Sequence, residues 1–154
     1  MRHFASRGLL AILSGFIAVT AISGAIFVVP DLPEEWIAGS IFGDYVIPAL
    51  GLGLVGGLAA VTLLLVIVRP ELAGPFGVVT GAAMVAFELV EIWAVGFSLI
   101  DYGLDQPVAW LQVVYLAAGT VTALAGVALV LATGPDRERI ARTTETSGVG
   151  HRGA

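Results

Sequence analysis

Four long apolar runs divide the chain, and its polar residues collect almost entirely between them. The runs cover residues 9–29, 46–68, 76–100 and 108–132. An α-helix rises about 1.5 Å per residue, so about 20 apolar residues cross the hydrocarbon of a bilayer. Each run reaches that length. Pro30, Pro70, Pro75 and Pro107 stand at or beside the ends, where a missing backbone N–H is tolerated. A soluble helical bundle would need a charged stripe along each helix, and no run carries one. The pattern predicts an all-α, polytopic membrane protein with four transmembrane helices in a compact bundle. The membrane domain is residues 1–133, and 134–154 form a polar, flexible cytoplasmic tail without apolar periodicity.

Within the runs, small and polar residues recur at helical spacing. The first has Ala11, Ser14, Ala18, Ala21 and Ala25. The second has Ala49, Gly53 and Gly57 at spacing four, with Gly51, Gly56 and Ala60 beside them. The third aligns Gly77, Gly81, Met84, Glu88, Glu91 and Ser98, and the fourth Gln112, Tyr115, Gly119, Thr122 and Gly126. Helices in lipid associate by close backbone approach and polar contact, so these faces are expected to meet one another. The Leu, Val, Ile and Phe faces are expected to meet lipid.

Composition agrees with a membrane location. Of the 154 residues, 58% are hydrophobic and 12% charged, against about 45–50% and about 25% in soluble domains. So much apolar surface exceeds what a soluble fold of this size can hide. With no cysteine, disulfide frameworks, thiolate metal sites and thiol catalysis are excluded. All seven basic residues are Arg, which with the abundant Ala, Gly and Val points to a GC-rich bacterial genome.

The arginines also set an orientation. Arg2 and Arg7 precede the first run, Arg69 follows the second, and Arg137, Arg139, Arg142 and Arg152 follow the fourth. The other two connections hold Asp31, Glu34, Glu35 and Asp44, then Asp101 and Asp105, without a basic residue. The positive-inside rule therefore predicts a multi-pass protein of the cell (cytoplasmic) membrane with both termini cytoplasmic. Arg2, Arg7 and Ser23-Gly24-Ala25 imitate a cleavable secretory signal. The apolar run continues through Val29, however, beyond the roughly 7–15 residues of a signal core, and an uncleaved span is expected.

Asp31-Leu32-Pro33-Glu34-Glu35-Trp36 reads as the start of a short interfacial helix capped by Asp31, carrying Trp36, Ile37, Ile41 and Phe42. The same D-x-P-x-x-W spacing returns at Asp105, Pro107 and Trp110, and capping plus interfacial Trp explains both copies.

The chemistry concentrates in two acids. Glu88 falls at the centre of the third run, with Glu91 about one turn beyond it. Each acid costs about 2.5–3.5 kcal/mol to insert at a helix centre, and the apolar residues of this run return roughly 4–7 kcal/mol in all. The third span is thus near neutral for insertion and needs its neighbours. No Lys, Arg or His lies within any run to pair with either acid. Two like charges one turn apart in low dielectric repel, so the acids are expected to carry less than two full charges and to titrate jointly. Counting depth along the helices places Ala18, Thr20, Gly56, Gly57, Tyr115, Gly119 and Thr120 or Thr122 near them, with Gln112 above. Thr20, Gln112, Tyr115, Thr120 and Thr122 are the candidate supporting polar residues.

Intramembrane acids mark proton and ion pathways, which makes Glu88 and Glu91 a candidate proton- or cation-binding pair in a small transporter or channel subunit. The alternative is a non-transporting scaffold or accessory subunit whose acids serve helix packing or receive a basic residue from a partner helix. Either way the first partner is the lipid bilayer. A pathway through such short helices calls for a homo-oligomer, and an accessory role calls for a membrane partner protein. Nothing in the chain points to nucleic acid or to a cofactor. Catalysis is not expected, since no nucleophile, metal-ligand set or phosphate loop accompanies the pair. His3 and His151 lie outside all four runs.

Three short motifs carry a resemblance. They are Asp44-Tyr45-Val46-Ile47-Pro48, then Glu91-Ile92 with Gly96, and Trp110-Leu111-Gln112. Through them the stretch 44–130 resembles small four-span bacterial integral membrane proteins usually described as uncharacterised. The resemblance implies four spans and matches Glu91 to an acidic or amide position. It implies no activity. Glu88 is additional to that pattern, and Ala49 stands where glycine is expected.

Overall fold

The computed structural model describes residues 2–38, 40–96 and 110–133. The expected tail, the connection holding Asp101, Asp105 and Pro107, and Ser98 lie outside the described residues. Helix α1 runs Arg2–Ser23 and continues through a π-helical turn, Gly24–Val28, into a 3-10 turn, Val29–Asp31. Helices α2 (Val46–Val68), α3 (Pro70–Val95) and α4 (Leu111–Thr133) follow, and no strand occurs among the described residues. The four stretches Phe4–Asp31, Val46–Val68, Pro70–Val95 and Leu111–Thr133 are each long and apolar enough to cross a membrane. This is the architecture of a multi-pass membrane protein.

The third helix departs from its expected limits at both ends. Between α2 and α3 only Arg69 leaves helical geometry, with φ −144° and ψ 67°, so residues 70–75 are helix rather than connection. Pro70 suits this start because the first helical N–H has no intrahelical partner. Pro75 lies inside the helix and leaves the carbonyl of Glu71 without its usual donor, close to an exposed end. At the far end α3 stops at Val95, where Gly96 takes φ 98°, a left-handed conformation open to glycine. Apolar content alone carried the expected span past that stop. The midpoint of α3 accordingly falls near Ala83, and Glu88 lies about two turns from the helix end instead of at its centre.

The start expected at Asp31 is also different. Asp31 closes the 3-10 turn that ends α1, and the following helical piece is a single 3-10 turn, Glu34–Trp36, without a side-chain cap. Ile37 is buried, whereas Ile41 is exposed. Asp44 does the capping further on, accepting from the Val46 N–H at 2.9 Å where α2 begins. The Tyr45 hydroxyl donates to the Pro33 carbonyl at 2.6 Å and ties the connection to that start.

Glycine sets how closely α3 and α4 approach. A Cβ added at Gly126 would stand 2.6 Å from the Val78 nitrogen and 2.7 Å from the Gly74 oxygen. One added at Gly81 would overlap the Ala123 nitrogen and the Gly119 oxygen. The aligned faces of α3 and α4 expected from small-residue spacing meet here. On α2 the expectation fails in part. Gly51 and Gly56 are the close positions, where a Cβ would lie 2.6 Å from Phe87 Cε2 and 2.7 Å from Ile22 Cγ1 respectively. Gly57 would accept a Cβ with nothing within 4 Å, and Ala60 is exposed. The buried α2 face is Leu52, Val55, Gly56, Ala59, Thr62 and Val66. Its 3–4 spacing was hidden because glycine also occupies the neighbouring face.

Two apolar clusters result. One gathers Ile17, Ala21, Leu52, Val55, Met84 and Tyr115, and the other Leu10, Val66, Ala73, Ala125 and Leu129. Between them along the chain each helix places one fully buried hydroxyl: Ser14, Thr62, Thr80 and Thr122. Thr62 and Thr80 bond to each other at 2.7 Å across the α2–α3 contact. At the end of the molecule bearing Arg69, the Arg7 guanidinium donates to the Val66 carbonyl at 2.9 Å and satisfies one of the last acceptors of α2. Outward-pointing Ile12, Val19, Leu54, Ile67, Leu124 and Leu131 leave a broad apolar exterior. A soluble monomer rarely exposes such an area.

Candidate functional site

Glu88 sits on the inward face of α3, one turn beyond Met84, and is 1% exposed. Glu91 follows on the same face and is partly buried. Both line a cavity of about 320 Å³ in the half of the molecule away from Arg7 and Arg69. From α1 come Thr20, Ser23 and the π-helical Gly24 and Val28. The π turn widens the backbone where the Val29 N–H reaches back to the Gly24 carbonyl. Such bulges recur at functional sites. From α2 come Pro48 and Leu52, and α4 supplies Leu111, Gln112 and Tyr115.

The polar groups in the wall are held in place. Thr20 donates to the Phe16 carbonyl at 2.7 Å and shares the cavity wall with Tyr115. The Phe16 ring lies 6.4 Å from that of Tyr115 at a tilt of 48°, which fixes the phenol between α1 and α4. Gln112 donates to the Gly96 carbonyl at 3.3 Å, so the start of α4 closes the end of α3.

One oxygen is left over. Glu88 Oε2 is buried with no hydrogen-bond partner, a condition it shares among the described residues only with Ser14 Oγ. Ser14 is not in the cavity wall, and Glu88 is. A buried carboxyl oxygen without a partner is costly, whether the group is neutral or charged. The one ion pair among the described residues, Arg69 with Glu71 at 3.7 Å, is exposed and at the opposite end. Among the described residues no group of three or more His, Cys, Asp or Glu side chains is placed to hold a metal.

Of the residues singled out by depth along the helices, Thr20, Gln112 and Tyr115 join Glu88 and Glu91 in the cavity. Thr120 and Thr122 do not. Thr120 is on the exposed side of α4 and donates to the Leu116 carbonyl at 2.7 Å. Thr122 is buried about two turns beyond Tyr115 and donates to the Ala118 carbonyl at 2.7 Å. Ala18, Gly56, Gly57 and Gly119 also lie outside the wall. Moving the glutamates toward the helix end shifts their level by about one and a half turns, and the partners shift with it. Ser23, Leu52 and Phe87 line the cavity without having been singled out. Ser23 lies about one turn beyond Thr20, a spacing that would have marked it.

No protein-family model, curated protein or solved structure matches the chain.

Proposed function

We propose that this chain is a four-span protein of the bacterial cytoplasmic membrane, a bundle with both termini on the cytoplasmic side. In this reading Glu88 and Glu91 bind a proton or a cation as the working site of a small transporter or channel subunit. The observation that carries the reading is Glu88, a residue of the cavity wall whose Oε2 is buried and unpartnered. A carboxyl serving only to join helices would be expected to have a hydrogen-bond partner on the neighbouring helix. Here Thr20 donates to the Phe16 carbonyl and Gln112 to the Gly96 carbonyl, and neither bonds Glu88 Oε2.

The orientation is supported by the charges. Arg7 and Arg69 lie at one end of the helices, and Asp31, Glu34, Glu35 and Asp44 at the other. Trp93 and Trp110, both exposed, also fall at the acidic end, as expected of side chains in a membrane–water interface. The resemblance to small four-span bacterial proteins agrees with this architecture and adds no chemistry.

Transport is tested in proteoliposomes carrying an internal pH-sensitive dye and an imposed proton gradient, with and without an added cation. The parent is expected to dissipate the gradient faster than Glu88→Gln/Glu91→Gln at equal reconstitution. Equal rates under every cation condition would remove the transporting role.

A further inference from the structure

Resting on the reading of Glu88 and Glu91 as a cation site, we propose that the cation is organic and amphipathic. It is an ammonium group carrying a small aromatic or branched aliphatic body, bound with its charge at Glu88 and its body against Leu52 and Phe87. The chemistry of the wall makes the case. Hard inorganic cations take about six or more oxygen ligands, from the protein or from retained water. In this cavity Val28, Val29, Leu32, Pro48, Leu52 and Phe87 offer carbon. Thr20 and Gln112 are held in place by donating to the Phe16 and Gly96 carbonyls, and the side-chain oxygens of the wall are few beside its carbon. An inorganic ion would keep its water on that side and gain nothing from those residues. An organic cation gains from both halves. Its charge meets the Glu88 and Glu91 carboxyls and the face of the Tyr115 ring, while its body covers the apolar wall at Leu52 and Phe87.

Size and charge agree. A volume of about 320 Å³ lies at the lower end of the about 300–1,000 Å³ typical of small-molecule sites. No cationic side chain of the described residues enters the wall, so a ligand cation meets no like charge. Among the described residues the titratable groups lining the cavity with Glu88 are Glu91 from its own helix and Tyr115 from α4; α1 contributes neutral hydroxyls and α2 no titratable group. Where the carboxyl pair holds a proton at the site of the charge, a bound monocation takes its place and that proton leaves to solvent. Protons and ligand compete, so affinity falls as the solution is acidified.

The test uses the full chain in lipid nanodiscs and benzyltrimethylammonium as probe, with binding followed by calorimetry against empty nanodiscs. Saturable binding is expected, with proton release that scales with the ionisation heat of the buffer. Tetramethylammonium and sodium at equal concentration are expected to displace the probe poorly, since neither has an apolar body. Glu88→Gln is expected to weaken binding at least tenfold. Leu52→Trp, which fills the apolar side, is expected to do the same while leaving pH-dependent carboxyl signals in the infrared spectrum intact. Absence of saturable binding, displacement by sodium as effective as by the probe, or unchanged binding in Glu88→Gln would each overturn the organic-cation assignment. If the probe fails but the carboxyl signals respond to pH, the proton or cation site stands and only this inference falls. If those signals are absent as well, both fall. Should either variant fail to fold, the displacement order and proton release in the parent decide alone.

Discussion

Thr62 and Thr80 join α2 to α3 through a 2.7 Å bond between their hydroxyls, fully buried and close to the turn at Arg69. Thr62 also reaches the Leu58 carbonyl at 3.0 Å and Thr80 the same carbonyl at 3.3 Å. With one proton on each hydroxyl, one of them donates to the Leu58 carbonyl while the other donates across the pair. Such bonds in membrane helices average about 0.6 kcal/mol, with a maximum of about 1.7 kcal/mol, because separated helices find other partners. Thr80→Val keeps the shape and leaves Thr62 its own acceptor. A loss of about 0.6 kcal/mol is expected in reversible unfolding in mixed detergent micelles. Thr62→Val/Thr80→Val should cost less than the two single changes added together, because both remove the same bond.

The glycines separate contact from mere small size. Gly81→Ala drives a methyl group into the backbone of Ala123 and Gly119, where no side chain can turn aside. Gly56→Ala meets Ile22 at both Cγ1 and backbone. Overpacking costs typically 1–3 kcal/mol, and Gly81→Ala is expected to be the worse of the two. Gly57→Ala has open space and gains about 1 kcal/mol of helix propensity at most. Melting temperatures in one detergent should therefore rank Gly57→Ala above Gly56→Ala, and Gly56→Ala above Gly81→Ala. A variant of Gly57 as damaged as that of Gly81 would contradict the packing.

Orientation is open to a direct assay. A reporter active only outside the cytoplasm is expected to work when fused after Glu35 and to be silent when fused after Arg139. Activity at the second position would reverse the side assigned to the C-terminus.

The four spans were legible because length and hydropathy decide insertion before any packing detail matters. The aligned stripe of α4 was legible too: Gln112, Tyr115, Gly119, Thr122 and Gly126 are all buried. What hydropathy does not record is where a helix stops. Gly96 ends α3 by its backbone conformation, and Pro70 starts it within what reads as a connection. Those two residues moved the depth of Glu88, and a wrong depth produced wrong neighbours in Thr120 and Thr122. The cavity was beyond the sequence for another reason. It depends on a π turn at Gly24–Val28, and neither small-residue spacing nor hydropathy distinguishes such a turn from ordinary helix.

The carboxylate pair is tested most directly by infrared difference spectroscopy on the full chain in lipid, scanned across pH with and without an added cation. Carboxyl C=O bands from Glu88 and Glu91 are identified by comparison with Glu88→Gln/Glu91→Gln, which keeps shape and hydrogen-bonding capacity while removing titration. Two interacting acids should change in separate steps, and the steps should move when cation is present. Single variants assign each step, Glu88→Gln being expected to remove the band from the less hydrated environment because Glu88 is the more deeply buried. The expected result is a pH- and cation-responsive carboxyl signal in the parent that the double variant lacks. Parent and double-variant spectra that superimpose at every pH, with and without cation, would contradict a proton- or cation-binding site at Glu88 and Glu91.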